Sequence, residues 1–273
     1  SDRSYAAYSK HSYHAYTISD SRNTPRLECV KREHTQSYLG TIKMIVVKNL
    51  KRYYGTGRTA VKALRGVSFE IKKREFVAIM GASGSGKTTL LRILALLDDA
   101  TDGEYTIRGL DVSSLPEAER SYYRLTQVGY VFQDYALINE ISTAENFYVL
   151  SMIKKKKKKE SYETALEALA KVGLTGKHDR VPDELSGGEK QRVAIARAIA
   201  KKPDIMFADE PCANLDTNNS KQVLDVFKEL NEKYGQTIVM VTHEPWHIEY
   251  VDRVITLEDG NLISDEKKGK GGE

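Results

Sequence analysis

Residues 76–88 read Phe76-Val-Ala-Ile-Met-Gly81-Ala-Ser-Gly-Ser-Gly-Lys87-Thr88, and the fold is decided there. Five apolar residues in a row predict a strand buried on both faces. The eight that follow match G-x-x-x-x-G-K-[ST] and open a helical stretch, Thr88–Leu97. Gly81, Gly84 and Gly86 let the backbone close around an anion, and the freed N–H groups and the helix N-terminus point at it. Lys87 is placed to reach the β- and γ-phosphates of a nucleotide, and the Thr88 hydroxyl to ligate Mg²⁺. Ser83, Ser85 and Thr89 complete the expected nucleotide-binding set of this loop.

Two further buried strands are expected, at Ile205-Met-Phe-Ala and Thr237-Ile-Val-Met-Val. The first ends in Asp209-Glu210, and in open α/β sheets ligands gather at such C-terminal strand ends. Asp209 is therefore expected to hold Mg²⁺, and Glu210 to polarise the attacking water as general base. Helical stretches follow each buried run, at Thr88–Leu97, Ser220–Tyr234 and after His243. This βα alternation predicts a mostly parallel sheet with helices on both faces. Val67-Ser-Phe-Glu-Ile alternates as a half-buried strand does. Between about 134 and 185 strands give way to helix, with Glu163–Val172 the clearest segment.

The chain has 273 residues, 40% of them hydrophobic and 29% charged, which excludes global disorder. It carries 42 Lys+Arg against 38 Asp+Glu. Residues 1–43 hold seven of the basic and four of the acidic groups, and Lys154–Lys159 add six positive charges in one run. The rest is net acidic, so the overall basic balance is weak evidence for nucleic acid, and none is expected as a partner. The lysine run reads as a solvated loop. Acidic lipid head groups are the other reading, and the absence of interleaved aromatics weakens a nucleic-acid one. No run of 18 apolar residues occurs, so no helix is expected to span a membrane unaided. Cys29 and Cys212 make no disulfide framework or zinc pattern, and His11, His14 and His34 fit no ligand spacing. Residues 1–43 are expected to be a loose extension without a secretory signal, and Met44 to open the folded body.

Beyond the phosphate loop, Leu185-Ser-Gly-Gly-Glu189-Lys-Gln-Arg192 resembles the signature motif of ATP-binding-cassette (ABC) ATPases, and it lies between the loop and the acidic strand as in that family. Gln133 in Val131-Phe-Gln-Asp, Asn214-Leu-Asp216 and His243 in Val241-Thr-His-Glu resemble further family elements in the expected order. The resemblance covers residues 44–262. It implies a P-loop NTPase α/β core, an N-terminal antiparallel β part and an inserted helical subdomain at about 134–185, with 263–273 left as a charged tail. It implies ATP and Mg²⁺ as cofactors, with Gln133 a third metal contact and Tyr54 stacking on adenine; adjacent Tyr53 is the alternative stacker. His243 is expected on the γ-phosphate. Ser186, Gly187 and Gly188 are expected at the ATP of a second copy, in a head-to-tail dimer, and Asp216 is expected among the nucleotide-binding residues.

Gly57-Arg-Thr-Ala-Val-Lys-Ala-Leu and Val193-Ala-Ile-Ala-Arg-Ala resemble the subgroup serving lipoprotein release, macrolide export and bacterial cell division. The implied function is the ATPase subunit of a transporter of export type. It would sit at the cytoplasmic face of the membrane beside separate permease subunits. The alternative is a non-transport ABC ATPase of cofactor-assembly or repair type. Arg74 stands where the family usually has glycine, and a turn there with φ > 0 would cost on the order of 1 kcal/mol. Cys212 and Ala213 replace the more usual threonine and glycine, and leave the catalytic pair untouched.

Overall fold

The computed structural model describes residues 14–19, 26–31, 43–55, 57–153 and 157–268. The chain divides into two units, Ser1–Gly40 and Thr41–Glu273. In the first, β1 (His14–Ser19) and β2 (Arg26–Lys31) pair antiparallel, His14 opposite Lys31. Ala15-Tyr-Thr-Ile18 and Leu27-Glu-Cys-Val30 carry β-branched and aromatic residues that favour a ladder, although the segment as a whole is polar.

Among its described residues the second unit holds two sheets. Strands β3 (Lys43–Tyr54), β4 (Val61–Lys72), β6 (Asp102–Ile107) and β7 (Leu110–Asp111) form an antiparallel sheet in the order β4-β3-β6-β7. The other runs β12-β11-β5-β10-β9-β8. Its members are β5 (Phe76–Met80), β8 (Val128–Val131), β9 (Ile205–Asp209), β10 (Thr237–Val241), β11 (Arg253–Glu258) and β12 (Asn261–Lys267). All neighbours pair parallel except β12, which returns antiparallel on β11.

Strand periodicity explains the unbroken apolar runs. Phe76, Ala78, Met206, Ala208, Ile238 and Met240 face one core, packed by helices, while Val77, Ile79, Ile205, Phe207, Val239 and Val241 face the other. That second core is shared with the antiparallel sheet, where Val67, Phe69 and Ile71 turn inward and Ser68 and Glu70 outward. The expected alternation of β4 is observed.

Among the described residues, six α-helices connect the strands: α1 (Lys87–Leu94), α2 (Glu117–Thr126), α3 (Thr143–Ile153), α4 (Lys158–Lys171), α5 (Gly187–Ile199) and α6 (Thr217–Glu232). Among the described residues between 134 and 185 no strand occurs. Lys154–Lys156 lie outside the described residues, whereas Lys158 opens α4 and reaches Glu145 at 3.5 Å.

Two boundaries differ from expectation. After His243 the chain makes only a short 3-10 turn, Pro245–Tyr250, because Pro245 starts it and β11 follows at Arg253. The tail expected from 263 is strand as far as Lys267. Its side chains are mostly exposed and five of the seven are polar or charged, so hydrophobic patterning does not reveal it. Ladder pairing and the buried Arg253 hold it: the guanidinium lies 2.5 Å from Asp265 and 3.3 Å from Glu75, and donates to the Glu70 carbonyl at 2.7 Å.

Arg74 occupies the turn into β5 with φ 67°, the left-handed conformation anticipated for that position. The turn is pinned because Arg74 N–H donates to Thr237 Oγ1 at 2.9 Å and Arg74 C=O accepts from Asn231 Nδ2 at 2.8 Å.

Candidate nucleotide site

The loop between β5 and α1 is shaped by its glycines. Gly81 has φ 147°, and a Cβ there would lie 2.1 Å from the Leu257 carbonyl oxygen; Gly86 has φ 98°, and a Cβ would lie 2.4 Å from that of Ala63. Only glycine fits either place without moving backbone. Gly86 caps α1 with no side-chain acceptor, so the first N–H groups of the helix are left for an anion. Lys87 is buried, and its Nζ donates to the carbonyls of Gly81 at 2.9 Å and Ala82 at 2.7 Å. Ser85 Oγ is buried with no hydrogen-bond partner.

An open cleft of about 980 Å³ lies over this loop. Ser83, Gly84, Gly86, Lys87, Thr88 and Thr89 line it, and Glu210 and His243 line it with them. The sheet order explains the meeting, since β10 lies between β5 and β9 and all three end on the same side. His243 Nδ1 is 3.3 Å from Glu210 Oε2. Glu210 has φ 43°, a strained conformation for a non-glycine residue, and its N–H donates to the Val241 carbonyl at 3.1 Å.

Asp209 is fixed from two sides. Thr88 Oγ1 donates to its Oδ1 at 3.1 Å, and Tyr130 Oη donates to its Oδ2 at 3.1 Å. Burial raises the pKa of this carboxyl above its usual value, partly countered by the two hydroxyls, with Glu210 adding to the rise. A half-buried carboxylate beside a hydroxyl is an all-oxygen donor set suited to Mg²⁺, whose charge would offset the cost of ionising it. The residues present therefore fit the ion.

The signature segment builds a second helix N-terminus. Ser186 caps α5 in a reciprocal capping box: its Oγ accepts from Glu189 N–H at 3.2 Å, and its N–H donates to Glu189 Oε2 at 2.9 Å. That backbone donor, helped by Lys177, holds the Glu189 carboxyl below the usual range despite partial burial. A Cβ on Gly188 would meet Asn219 Oδ1 at 2.4 Å, and one on Gly187 would meet Leu215 Cδ2 at 3.1 Å. Asp216 caps α6, accepting from Asn219 N–H at 2.9 Å and Asn219 Nδ2 at 2.6 Å, and these donors lower its pKa.

Two expected residues stand apart from the cleft. Gln133 is exposed, and its carbonyl accepts from Asn214 Nδ2 at 3.3 Å. Tyr54 donates its hydroxyl to Asp98 at 2.7 Å, and Arg52 lies 4.5 Å over its ring. Lys62, a lining residue, stands 5.7 Å over the ring of Tyr53. Neither tyrosine lines the cleft itself. The sequence reading missed Tyr130 and Arg197. Arg197, on α5, donates to the carbonyls of Tyr135 at 3.1 Å and Ala136 at 2.5 Å, two residues with positive φ just after Gln133.

The family model described as ABC transporter matches residues 64–213. A lipoprotein-releasing system ATP-binding protein, LolD, of Aquifex aeolicus is 48% identical over 74% of this chain and 90% of its own length. An uncharacterised ABC transporter ATP-binding protein of Methanocaldococcus jannaschii is 44% identical over 81% of this chain and 98% of its own. A macrolide export ATP-binding/permease protein, MacB, of Chlorobium luteolum is 47% identical over 84% of this chain, which spans only 34% of that protein's length. Among solved structures, a dimeric post-hydrolysis state of the ATP-binding cassette MJ0796 bound to ADP and Pi superposes with a TM-score of 0.76 and 38% identity, covering 83% of this chain and all of that one. Among the described residues no helix is long and apolar enough to cross a membrane.

Proposed function

The chain belongs to the ABC transporter family and is an ATP-binding, ATP-hydrolysing cassette; on that premise we propose that two copies of it power a separate membrane permease of an export system. The observation that carries the reading is the single cleft in which Glu210 and His243 line the same space as Lys87 and Thr88. The relatives named for macrolide export and lipoprotein release support the export direction. The cassette would work at the cytoplasmic face of the membrane, held there by the permease.

ATP binds with its phosphates on the N–H groups of the loop and of α1, and with Lys87 beside them. Thr88, Asp209 and Gln133 would hold Mg²⁺, which when bound would supply positive charge beside the β- and γ-phosphates. Glu210 takes the proton of the attacking water. His243 fixes the Glu210 carboxylate and contacts the γ-phosphate. Tyr54 stacks on adenine. Ser186, Gly187 and Gly188 present the α5 N-terminus to the ATP of the second copy, with Asp216 beside that seam. ATP thus joins the two copies, and its hydrolysis to ADP and phosphate releases them.

The test is sedimentation velocity of the Glu210→Gln chain with ATP and Mg²⁺. A shift from monomer to dimer is expected, reversed when ATP is withheld. A chain that stays monomeric at saturating ATP would overturn the sandwich.

A further inference from the structure

We propose that Tyr130 is a positioning residue for Asp209, the hydroxyl that sets the orientation of the carboxylate assigned to Mg²⁺. The inference rests on the metal-binding reading given above and adds a residue to it. β8 and β9 are parallel neighbours, and Tyr130 pairs with Phe207, two residues before Asp209. From that position the phenol reaches to the end of the neighbouring strand and donates to Asp209 Oδ2 at 3.1 Å. Thr88 donates to the other oxygen at the same distance. An aspartate has two side-chain torsions, and a donor on each oxygen fixes the plane of its carboxylate.

The two donors differ in position. Thr88 belongs to the phosphate loop and is itself assigned to the ion, so its hydrogen bond must yield when a metal arrives. Tyr130 belongs to the sheet. Its ring is half-buried, and Phe132, on the same face of the chain, packs against it with centroids 4.5 Å apart. Its hold on Oδ2 does not depend on Thr88, whose hydroxyl would turn to the ion. Phenylalanine would fill the same space and lack only the donor, which makes the substitution clean.

The experiment measures equilibrium binding of a mant-labelled, non-hydrolysable ATP analogue, in excess Mg²⁺ and in EDTA, to the wild-type chain and to Tyr130→Phe. The ratio of the two affinities is the metal's contribution. Tyr130→Phe is expected to lower that ratio by about threefold to tenfold, the net effect of one ordinary intramolecular hydrogen bond, and to leave the EDTA affinity unchanged. Two results overturn the inference: a variant with the wild-type ratio, or equal weakening with and without metal, which would mark a general disturbance of the cleft. If the wild-type chain itself gains no affinity from Mg²⁺, the metal-binding reading of Asp209 falls and Tyr130 falls with it.

Discussion

His243 Nδ1 stands 3.3 Å from Glu210 Oε2, so the proposed general base and the histidine proposed for the γ-phosphate are placed to act as one unit. Glu210→Gln is expected to lower kcat by about 10²- to 10⁴-fold, the usual contribution of a general base, with ATP affinity retained. His243→Ala should also lower kcat. The double variant should lose little more than Glu210→Gln alone, because groups acting as a unit are non-additive. Additive losses in steady-state assays would show that the two work separately.

Tyr54 and Tyr53 lie on opposite faces of β3, so only one can meet the adenine. Tyr54→Ala is expected to weaken ATP binding by about 1–3 kcal/mol, the range for base–aromatic stacking. Tyr53→Ala should change it little. Isothermal titration of both variants decides the assignment, and the reverse order would move the stacking role to Tyr53.

A methyl group at position 188 would lie 2.4 Å from Asn219 Oδ1. Gly188→Ala must therefore push away the residue that ties the Asp216 cap together. Overpacking of this kind costs about 1–3 kcal/mol. The variant should lose ATP-driven dimerisation while a single chain still binds ATP at the phosphate loop. Melting temperature, sedimentation and nucleotide titration together separate these effects.

Arg74, at φ 67°, holds a conformation that glycine adopts freely. Arg74→Gly is expected to raise stability by up to about 1 kcal/mol. The gain is limited by lost packing of the arginine stem on Gly235. Urea unfolding monitored by circular dichroism measures it, and ATPase activity should not change.

Cys212 is buried, and burial pushes its thiol up to about 12. The nucleophilic thiolate is therefore scarce at pH 8 and becomes abundant only as the pH nears 12. In a Cys29→Ser chain, DTNB should label native Cys212 at least about 10³-fold more slowly than the unfolded chain, the factor that three pH units of thiolate population supply. Fast native labelling at pH 8 would show an accessible, activated thiol.

What could be read from the sequence follows from how each element is buried. β5, β9 and β10 are covered on both faces, so each appears as an unbroken apolar run. β8 is only four residues with a glycine inside, and β12 is charged and exposed, so neither stands out. The motif residues are legible because phosphate chemistry demands particular types at close spacing. Tyr130 carries no such signal. Its contact with Asp209 spans 79 positions and arises only because β8 and β9 are sheet neighbours. The grip of Arg197 on Tyr135 and Ala136 is hidden in the same way, since it joins α5 to a loop some 60 residues earlier.

An ammonium group has three protons to donate, and Lys87 already gives two directions to the carbonyls of Gly81 and Ala82. The side chain proposed to meet the nucleotide is thus also a rivet within its own loop. Replacing Lys87 by alanine would remove a charge and, in the same stroke, free two carbonyls and slacken the cradle. The affinity lost in such a variant measures the loop's shape as much as the lysine's contact with phosphate.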